Sequence, residues 1–523
     1  MSRLPIGVQD FRKLRTEGLA YVDKTEQVYN LMNLGQHIFF SRPRRFGKSL
    51  LISTLKEIFS GSKELFEGLW IEDKIDWKTY PVIHIDFNEM NYRELALEAE
   101  IARTLDENAE RNGVELSSED SKGKFRELFK QLAVDGEKVV VLVDEYDKAL
   151  TDYLEDNERA RENANILKNF YSVLKSQDKN IHFNFITGVS KYGKVSIFSD
   201  LNNLFDATMH DDLAALCGYT QEELQGYFSE ELYKLCLKGS WGLDDLLQGI
   251  KLMYNGYSWD GRQKVYNPFS VLNFFNLGKF EHFWFATGTP TFLMKLMKEQ
   301  QLASYELELL KTSGAILENN DLNNIGIQSL LFSTGYLTIK KEELKIGRTN
   351  YQLGFPNEEV RTAFMQYLLS TYIDRTADRL ENDVISNLTD GIEHDDWELF
   401  FETINEKVFA RAPYGILPKK ESYVHSIIHM LMVLTGYEIH SEVQTRKGRM
   451  GSVLDTGDRI LIFEFKIDRS AEEAVEQIKE MKYYEMYAHQ EKPLTVVGVN
   501  FDTEKKEIDD YVVKNLDNSI PNM

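Results

Sequence analysis

The stretch Ser41-Arg42-Pro43-Arg44-Arg45-Phe46-Gly47-Lys48-Ser49 follows the apolar run His37–Phe40 and leads into the helix-like sequence Leu50–Leu55. Gly-Lys-Ser at a strand-to-helix junction is typical of a phosphate-binding loop, because free backbone N–H groups and the positive end of the helix dipole meet there. Lys48 would reach the β- and γ-phosphate oxygens, and the Ser49 hydroxyl would bind Mg²⁺. The stretch therefore predicts a nucleotide site built on an α/β sheet.

The first half of this loop departs from the usual glycine-rich pattern. Arg42 stands where the leading glycine is expected, upstream of Gly47. Pro43 removes one N–H donor and favours an extended backbone at Arg42. We expect the charges of Arg44 and Arg45 to offset the lost backbone donors. A chance Gly-Lys-Ser at a helix start is the alternative when the tripeptide is taken alone.

A second element strengthens the nucleotide interpretation. The apolar run Lys138–Val143 ends in two acids, Asp144 and Glu145. In a parallel sheet the carboxyl ends of the strands carry the site, so we expect Asp144 beside the Mg²⁺ bound to Ser49. Glu145 would then polarise the attacking water as general base. A buried strand followed by a solvated acidic turn explains this run, but not its pairing with the upstream loop.

Residues 20–190 alternate short apolar runs with charged, helix-periodic segments, which predicts a parallel sheet flanked by helices. The expected strands are 37–40, 82–86, 139–143 and 182–187, and the expected helices lie near 50–60, 95–110 and 158–177. The last of these strands ends at Thr187, whose hydroxyl is a candidate sensor of the γ-phosphate. Turn chemistry is the alternative for a threonine at a strand end.

Changes in the sequence pattern divide the whole chain into four predicted segments. We expect the parallel-sheet domain over 1–214, a mostly helical and aromatic domain over 215–345, a helical connector over 346–414 and a small α/β domain over 415–523. The second of these ends in a strand-like run, Leu330–Ile339. In the last, we expect a helix over Lys419–Thr435, strands near 437–443, 451–455 and 460–466, a helix over Ala471–Tyr487 and a strand over Leu494–Val499.

Composition excludes several classes of protein. The 523 residues carry a net charge of −23 and 42% hydrophobic residues. No run approaches the roughly 18 apolar residues of a membrane span, so collagen-like, disordered and membrane-embedded chains are excluded. The excess acid argues against a surface that wraps nucleic acid. Cys217 and Cys236 cannot build a disulfide framework or a zinc site, and the N-terminus lacks a signal peptide, so we expect a cytoplasmic protein.

Charge is also unevenly distributed along the chain. Residues 36–60 contain five basic side chains and one acidic, whereas residues 416–523 contain 14 basic and 19 acidic side chains. The positive charge is therefore concentrated where a nucleoside triphosphate would bind. This distribution favours the nucleotide site over nucleic-acid binding by the C-terminal domain.

Several other segments, together with the Arg42–Ser49 loop, carry a family resemblance. They are Tyr21-Val22-Asp23-Lys24-Thr25, Asp144-Glu145-Tyr146-Asp147, Ser196–Leu204, Tyr254-Asn255-Gly256-Tyr257, Tyr266–Ser270 and Thr287–Pro290. With these segments, the chain resembles the predicted AAA-ATPase-like proteins of bacteria and archaea that carry a C-terminal PD-(D/E)XK nuclease domain. The resemblance implies a P-loop ATPase domain with ATP and Mg²⁺ as ligands, a helical and winged-helix lid over 215–345, and a restriction-endonuclease-like domain over 415–523. An arginine in place of the first loop glycine is usual in that family.

The run Ile460–Lys466 places Glu464 and Lys466 on one face of a strand, because side chains alternate along it. Metal-dependent phosphodiester cleavage uses such a pair, a carboxylate on the metal and an ammonium near the nucleophilic water. An exposed ion pair on a strand has the same sequence. The resemblance implies that Glu464 and Lys466 are catalytic, that Glu421 and Glu464 are metal ligands, and that Gln477 flanks the site.

One ligand of that nuclease pattern is missing. The family has Gly-Arg-x-Asp before the Glu-x-Lys strand, and this chain has Gly448-Arg449-Met450-Gly451. A two-residue turn at Gly457-Asp458 would put Gly451 opposite Glu464, and would put Asp455 about 13 Å further along the strand. We therefore expect weak or absent cleavage. The nearby Arg446, Lys447 and Arg449 would at most contact phosphate.

Three hypotheses follow. The first is a P-loop ATPase whose nucleotide state positions a degenerate nuclease-like domain. The second is an active, ATP-dependent and Mg²⁺-dependent DNA nuclease, and the third is a non-enzymatic nucleotide-binding module. ATP is the expected ligand, DNA is a candidate partner of the C-terminal domain, no membrane is expected, and self-association into a homo-oligomer is compatible with the sequence.

Overall fold

The computed structural model describes residues 3–191, 193–198, 201–239, 241–287, 293–294, 296–297, 303–318, 326–372, 383–411, 421–444, 449–490 and 492–516. The chain forms two compact units. The first comprises Met1–Phe292 and Leu310–Val360, and the second Leu293–Leu309 and Arg361–Met523. The division into four domains stays a prediction. The segments 199–200 and 288–290, which belong to the family resemblance, and the boundary at 414–415 lie outside the described residues.

The first unit is built on a five-stranded parallel sheet of strand order β2-β3-β4-β1-β5. The strands are β1 (His37–Ser41), β2 (Val82–Asp86), β3 (Val139–Asp144), β4 (Ile181–Gly188) and β5 (Phe205–Asp206). β1 and β3 are buried along their whole length, as continuous apolar runs in a parallel sheet require. The four predicted strands are confirmed, and the short β5 was not predicted.

Helices flank this sheet. They are Phe11–Thr16, Thr25–Asn33, Lys48–Phe59, Leu97–Arg111, Ser121–Leu132, Lys148–Thr151, Asn157–Ser176 and Lys194–Ile197. The three predicted helices are confirmed. The helix Ser121–Leu132 was missed, although the Asp120 carboxylate caps it by accepting the Gly123 N–H and its apolar face carries Phe125 and Phe129 into the core.

The rest of the first unit adds helices and a second sheet. The helices are Gln221–Tyr227, Ser229–Lys238, Leu243–Tyr254, Pro268–Leu277, Gly314–Glu318 and Ile327–Thr334. The sheet is antiparallel, of order β6-β8-β7, from β6 (Leu310–Ser313), β7 (Thr338–Lys345) and β8 (Arg348–Gly354).

Two expectations for this region are wrong. The strand-like run Leu330–Ile339 is a helix up to Thr334, because Gly335 adopts a left-handed φ of +89° that ends the helix before β7 starts. Residues 348–354 form a strand where a helical connector was expected. The first error comes from a short apolar run, which helix and strand share. The second concerns the mostly polar segment Arg348–Gly354, which pairs with β6 and β7 across the sheet.

The second unit contains a mixed sheet of order β13-β12-β11-β10-β9. The strands are β9 (Glu438–Gln444), β10 (Arg449–Asp455), β11 (Ile460–Ile467), β12 (Leu494–Asp502) and β13 (Glu507–Leu516). β11 and β12 are parallel, and the other neighbours are antiparallel. The expected hairpin register is confirmed, since Ser452 pairs with Phe463 and Asp455 with Ile460. β13 was not predicted.

The helices of the second unit are Asp383–Glu393, Trp397–Lys407, Glu421–Leu434 and Ala471–Met481, and a further helix, Glu358–Tyr372, passes from the first unit into the second. The predicted helices at 419–435 and 471–487 are thus confirmed, with shorter limits; residues 419–420 lie outside the described part. In the described ranges of the chain, we find no helix with the length and apolar character that crossing a lipid bilayer demands.

Candidate functional site

The sheet order brings the phosphate-binding loop and the acidic strand end to one edge. β4 lies between β1 and β3, so the loop after β1 and the acids after β3 flank the end of β4. A cavity of about 690 Å³ opens there. Its wall includes the predicted residues Arg44, Arg45, Gly47, Lys48, Ser49 and Glu145. Gly47 caps the following helix with a φ of +94°, a backbone conformation that favours glycine.

Lys48 connects the loop to the end of β3. Its ammonium lies 3.1 Å from Glu145 Oε1 and donates a hydrogen bond to the Pro43 carbonyl at 3.2 Å. Glu145 has a φ of +52°, which is uncommon for a residue with a side chain and indicates local backbone strain. The predicted lysine and the predicted general base therefore contact each other at the cavity wall.

Asp144 fits the role of a cation ligand. The residue is only 1% exposed, and among the described residues its Oδ1 has no hydrogen-bond partner. Burial and the neighbouring Glu145 carboxylate raise the pKa of Asp144 to about 7, against the opposing effects of the Ser49 hydroxyl and the Lys48 charge. A buried carboxylate oxygen without a partner, beside a serine hydroxyl, is a donor set that suits Mg²⁺.

Asp86 is a cavity residue that the sequence reasoning missed. It ends β2, pairs in register with Asp144 and lines the same cavity. Burial raises its pKa, and the Glu89 and Glu145 carboxylates add to the effect. The available signal was an acid at the end of a predicted strand, the same signal that identified Asp144.

Thr187 is fully buried in β4. Its Oγ1 lacks a hydrogen-bond partner within the described part of the chain, and its carbonyl accepts the Tyr146 N–H at 3.0 Å. Val189, two residues later, lines the cavity. The structure thus brings Thr187 to the correct sheet edge, and its role as a phosphate sensor stays a prediction.

Arg42 has a structural place of its own. Its guanidinium donates to the carbonyls of Ser41, Thr208 and Leu213 at 2.8–3.0 Å. It also lies over the rings of Phe40 and Trp259, with 4.2 and 3.9 Å to the ring centroids. Burial lowers the pKa of Arg42 to about 9. The arginine that replaces the first glycine therefore braces the loop from inside the fold.

Arg44 and Arg45, in contrast, are exposed at the cavity. The Arg45 guanidinium lies 5.1 Å from the Phe269 ring centroid. Both side chains thus lie at the cavity, and their role in offsetting the lost backbone donors stays a prediction.

Asp147 belongs to the Asp144-Glu145-Tyr146-Asp147 segment, and the sequence predicts no specific role for it. Its buried carboxylate accepts hydrogen bonds from the Val189 N–H at 3.1 Å, and from the Ser190 N–H and hydroxyl at 2.7 Å each. It therefore ties the turn after β3 to the turn after β4. The two cavity-edge turns cannot move independently while this contact holds.

In the second unit, the predicted nuclease-like residues Glu464, Lys466 and Gln477 meet on one face of β11. Glu464 Oε2 accepts the Gly451 N–H at 3.1 Å, and Oε1 accepts Gln477 Nε2 at 2.8 Å. The Lys466 ammonium lies 3.7 Å from Glu464 Oε1 and donates to Gln477 Oε1. Both oxygens of the carboxylate thus accept a hydrogen bond from the protein itself.

Gly451 has no room for a side chain in this arrangement. A Cβ at this position would lie 2.6 Å from the Phe463 carbonyl oxygen. Asp455, the next acid on β10, pairs with Ile460 and binds the Lys492 ammonium at 2.7 Å. No acid of the described part of β10 therefore faces Glu464.

Other predicted residues of this site are not described. Glu421 begins the helix Glu421–Leu434, but its side chain lies outside the described residues, as do Arg446, Lys447, Gly448 and the side chain of Arg449.

The sheet order, the loop and the cavity define a P-loop domain, joined to a smaller α/β domain with a mixed sheet. Residues 5–198 match the family described as Predicted AAA-ATPase, and residues 419–511 match the PD-(D/E)XK nuclease superfamily. The chain belongs to the family of AAA-ATPase-like proteins that carry a C-terminal PD-(D/E)XK nuclease domain.

A curated relative spans the whole chain. It is named "Uncharacterized protein in vnfD 5′region", comes from Azotobacter chroococcum mcd 1, and is 36% identical over 526 aligned residues. The alignment covers 98% of this chain and 99% of that protein. The alignment therefore includes both of the segments that match family models.

Two solved structures show a weak likeness. They are the ORC1 protein of Aeropyrum pernix in complex with DNA and the ORC2 protein of the same organism in ADPNP-ADP complexes. Each is 12% identical with a TM-score of 0.25, over 66% of this chain and 93% or 92% of that chain. A TM-score of this size adds nothing to the assignment of fold, ligand or partner.

Proposed function

We propose that the chain is an ATPase that binds Mg²⁺ and ATP at the carboxyl edge of the parallel sheet. The observation that carries the proposal is that Lys48, Ser49 and Glu145 line one cavity, with Asp144 beside Glu145 at the end of β3, although the loop and the strand end are far apart in sequence. Lysine, serine and two strand-end carboxylates are the set that positions a triphosphate, a metal ion and a water.

Each residue has a distinct task in this proposal. Lys48 and the backbone N–H groups of the loop hold the phosphates, with Arg44 and Arg45 adding charge at the cavity mouth. Ser49 and Asp144 hold Mg²⁺, which neutralises charge on the phosphates when it is bound. Glu145 accepts a proton from the attacking water as general base, and Thr187 senses the γ-phosphate from β4. Asp86 is a further acid on the same edge.

ATP turnover tests the proposal. Wild type, Lys48→Ala and Glu145→Gln would be compared for phosphate release from ATP with Mg²⁺. We expect both variants to lose at least about 100-fold in rate, because one removes phosphate stabilisation and the other removes the base. Equal rates in all three proteins would remove the ATPase claim and leave a non-enzymatic nucleotide-binding module.

We further propose that the nuclease-like domain is degenerate. The support is that Glu464 is bound by Gly451, Gln477 and Lys466, and that no described acid of β10 faces it. A carboxylate without a second acidic ligand binds Mg²⁺ weakly, so phosphodiester cleavage loses its metal. In this proposal, the nucleotide state of the first unit positions a C-terminal domain that does not cleave DNA.

A cleavage assay tests degeneracy. The purified full chain, with Mg²⁺ or Mn²⁺ and ATP, is expected to leave linear and supercoiled DNA intact. Metal-dependent degradation that Glu464→Ala abolishes would overturn this proposal and establish an active ATP-dependent nuclease.

The cellular setting is also a proposal. Cys217 and Cys236 are both free thiols in the structure, as in a reducing cytoplasm. We further propose DNA as a partner of the C-terminal domain and self-association into a homo-oligomer.

A further inference from the structure

Trp284 contacts the phosphate-binding loop with its indole ring. Its Nε1–H donates a hydrogen bond to the Arg44 carbonyl at 3.0 Å, and the residue is buried. The ring packs against Tyr336 and Tyr257, with centroid distances of 5.3 and 6.3 Å. Tyr257 in turn packs against Phe46 of the loop at 4.7 Å. Aromatic side chains that are far from the loop in sequence thus pack against it.

The hydrogen bond to Arg44 fixes more than one atom. In a planar trans peptide, the carbonyl of one residue and the N–H of the next point in opposite directions. A carbonyl of Arg44 directed at Trp284 therefore directs the Arg45 N–H away from the indole. Arg45 has a left-handed φ of +67°, and Gly47 one of +94°. Such alternation turns successive N–H groups toward a common point, where an anion binds.

This loop depends on each of its remaining donors. Pro43 has no N–H, and the Arg42 backbone N–H donates to the Gly188 carbonyl at 3.3 Å. The phosphate cradle therefore begins at residue 44. If the peptide between Arg44 and Arg45 were turned the other way, the loop would lose the Arg45 N–H as a phosphate donor. That loss is a larger fraction of the available donors than it would be in a glycine-rich loop.

Trp284 is in turn held by a buried carboxylate. Glu359 Oε1 accepts the Trp284 backbone N–H at 2.7 Å, and Oε2 accepts the Ser270 hydroxyl at 2.7 Å. Glu359 is fully buried, and burial raises its pKa to about 7. Ser270 belongs to the helix Pro268–Leu277, which lines the cavity with Phe269 and three other residues. The Glu359 carboxylate therefore connects Trp284, which contacts the loop, to the helix Pro268–Leu277, which lines the cavity.

We propose that Trp284 and Glu359 are positioning residues of the phosphate-binding loop, which set the direction of the Arg45 N–H and thereby the affinity for nucleotides with a β-phosphate. The inference rests on the proposed nucleotide function of the same cavity. Glu359 acts through Trp284, and Trp284 acts through the Arg44 peptide. Neither residue contacts the nucleotide in this proposal.

The test separates the hydrogen bond from packing. Trp284→Phe keeps an aromatic ring and removes the indole N–H. Trp77→Phe is a matched control, because the Trp77 indole donates to the Glu72 carbonyl at 2.9 Å and neither residue lines the cavity. The dissociation constants for ADP and for a non-hydrolysable ATP analogue with Mg²⁺ are measured by calorimetry on the full chain, together with the melting temperature.

We expect both constants to rise about three- to tenfold in Trp284→Phe and to stay unchanged in Trp77→Phe, as the loss of one oriented hydrogen bond implies. Glu359→Gln should retain wild-type affinity, because its amide oxygen accepts the Trp284 N–H and its amide nitrogen donates to Ser270. Glu359→Leu, which has no acceptor, should weaken binding as Trp284→Phe does.

The outcomes that overturn the inference differ from those that overturn the nucleotide proposal. Unchanged affinity in Trp284→Phe, or equal weakening by Glu359→Gln and Glu359→Leu, contradicts the positioning role and leaves packing as the role of these residues. If wild type binds neither nucleotide, or if Lys48→Ala binds both as tightly as wild type, the proposed function itself fails.

Discussion

The two units each bury a carboxylate near a lysine on a strand of their sheet, and the two carboxylates have different surroundings. Asp144, at the end of β3, has an Oδ1 without a hydrogen-bond partner among the described residues, and its pKa is raised to about 7. Glu464, on β11, accepts hydrogen bonds on both oxygens, from Gly451 and from Gln477.

The difference in hydrogen bonding is the basis of our proposal that Asp144 binds a metal ion and that Glu464 is a structural carboxylate. Buried polar atoms in folded proteins are nearly always hydrogen-bonded, so an orphaned carboxylate oxygen signals a destabilising feature that function maintains. Similar residue types on similar strands thus predict metal binding in the first unit and not in the second.

The largest expected effect on ATP turnover comes from removing Lys48, and the matched control is the removal of Lys466 in the second unit. Lys48→Ala should lower ATP turnover at least about 100-fold, because the ammonium is the phosphate-binding charge of the cavity. Lys466→Ala should leave turnover within about twofold, since Lys466 contacts only residues of the second unit in the described structure. Comparable losses in the two variants would break the functional contrast between the lysines.

The carboxylates themselves should respond in opposite directions to neutralisation. Asp144→Asn should raise the free energy of unfolding by on the order of 2 kcal/mol near pH 8, because it removes the cost of burying a charge. Glu464→Gln should lower it by about 1–2 kcal/mol, because its N–H donors lose a charged acceptor. Urea unfolding of both variants against wild type measures the two signs.

The effect at Asp144 should also depend on pH. The folded-state pKa of about 7 lies above the unfolded value, so the protonated acid favours the folded state below about pH 4, and that contribution is lost as the pH rises through 7. The stability difference between Asp144→Asn and wild type should therefore be near zero at low pH and full at about pH 8. A constant difference over this range would show that burial of the charge is not its cause.

A smaller effect is expected from restoring the missing acid of the second unit. Gly451→Asp should lower the free energy of unfolding by about 1–2 kcal/mol, since its Cβ would lie 2.6 Å from the Phe463 carbonyl oxygen and β10 must shift. We expect no gain of DNA cleavage in this variant. Metal-dependent cleavage by Gly451→Asp alone would show that Glu464 exchanges its hydrogen bonds for a metal readily.

Local signals were sufficient for β1 to β4 of the parallel sheet and for placing Lys48, Asp144 and Glu145 at its edge. The continuous apolar runs of β1 and β3 are typical of strands that are buried on both faces of a parallel sheet. The position of Asp144 and Glu145 at the carboxyl edge follows from the parallel topology. The turn at Gly457-Asp458 fixed the β10–β11 register, so the opposition of Gly451 and Glu464 was predictable by counting.

Residues whose role depends on long-range packing were not predictable. The buried guanidinium of Arg42 needs Trp259 and Thr208 to explain it, and Trp284 reaches the loop from a distant part of the chain. No periodicity or motif connects such positions. The helix Ile327–Thr334 was misassigned because its length and composition also fit a strand.

Mn²⁺ binding is the measurement that tests the contrast between Asp144 and Glu464 most directly. The full chain would be titrated with Mn²⁺ in the presence of a non-hydrolysable ATP analogue, and bound metal counted by electron paramagnetic resonance in wild type, Asp144→Asn and Glu464→Gln. We predict one tight site per chain, lost in Asp144→Asn and retained in Glu464→Gln. A second tight site that disappears in Glu464→Gln, or a single site that survives in Asp144→Asn, would contradict the account.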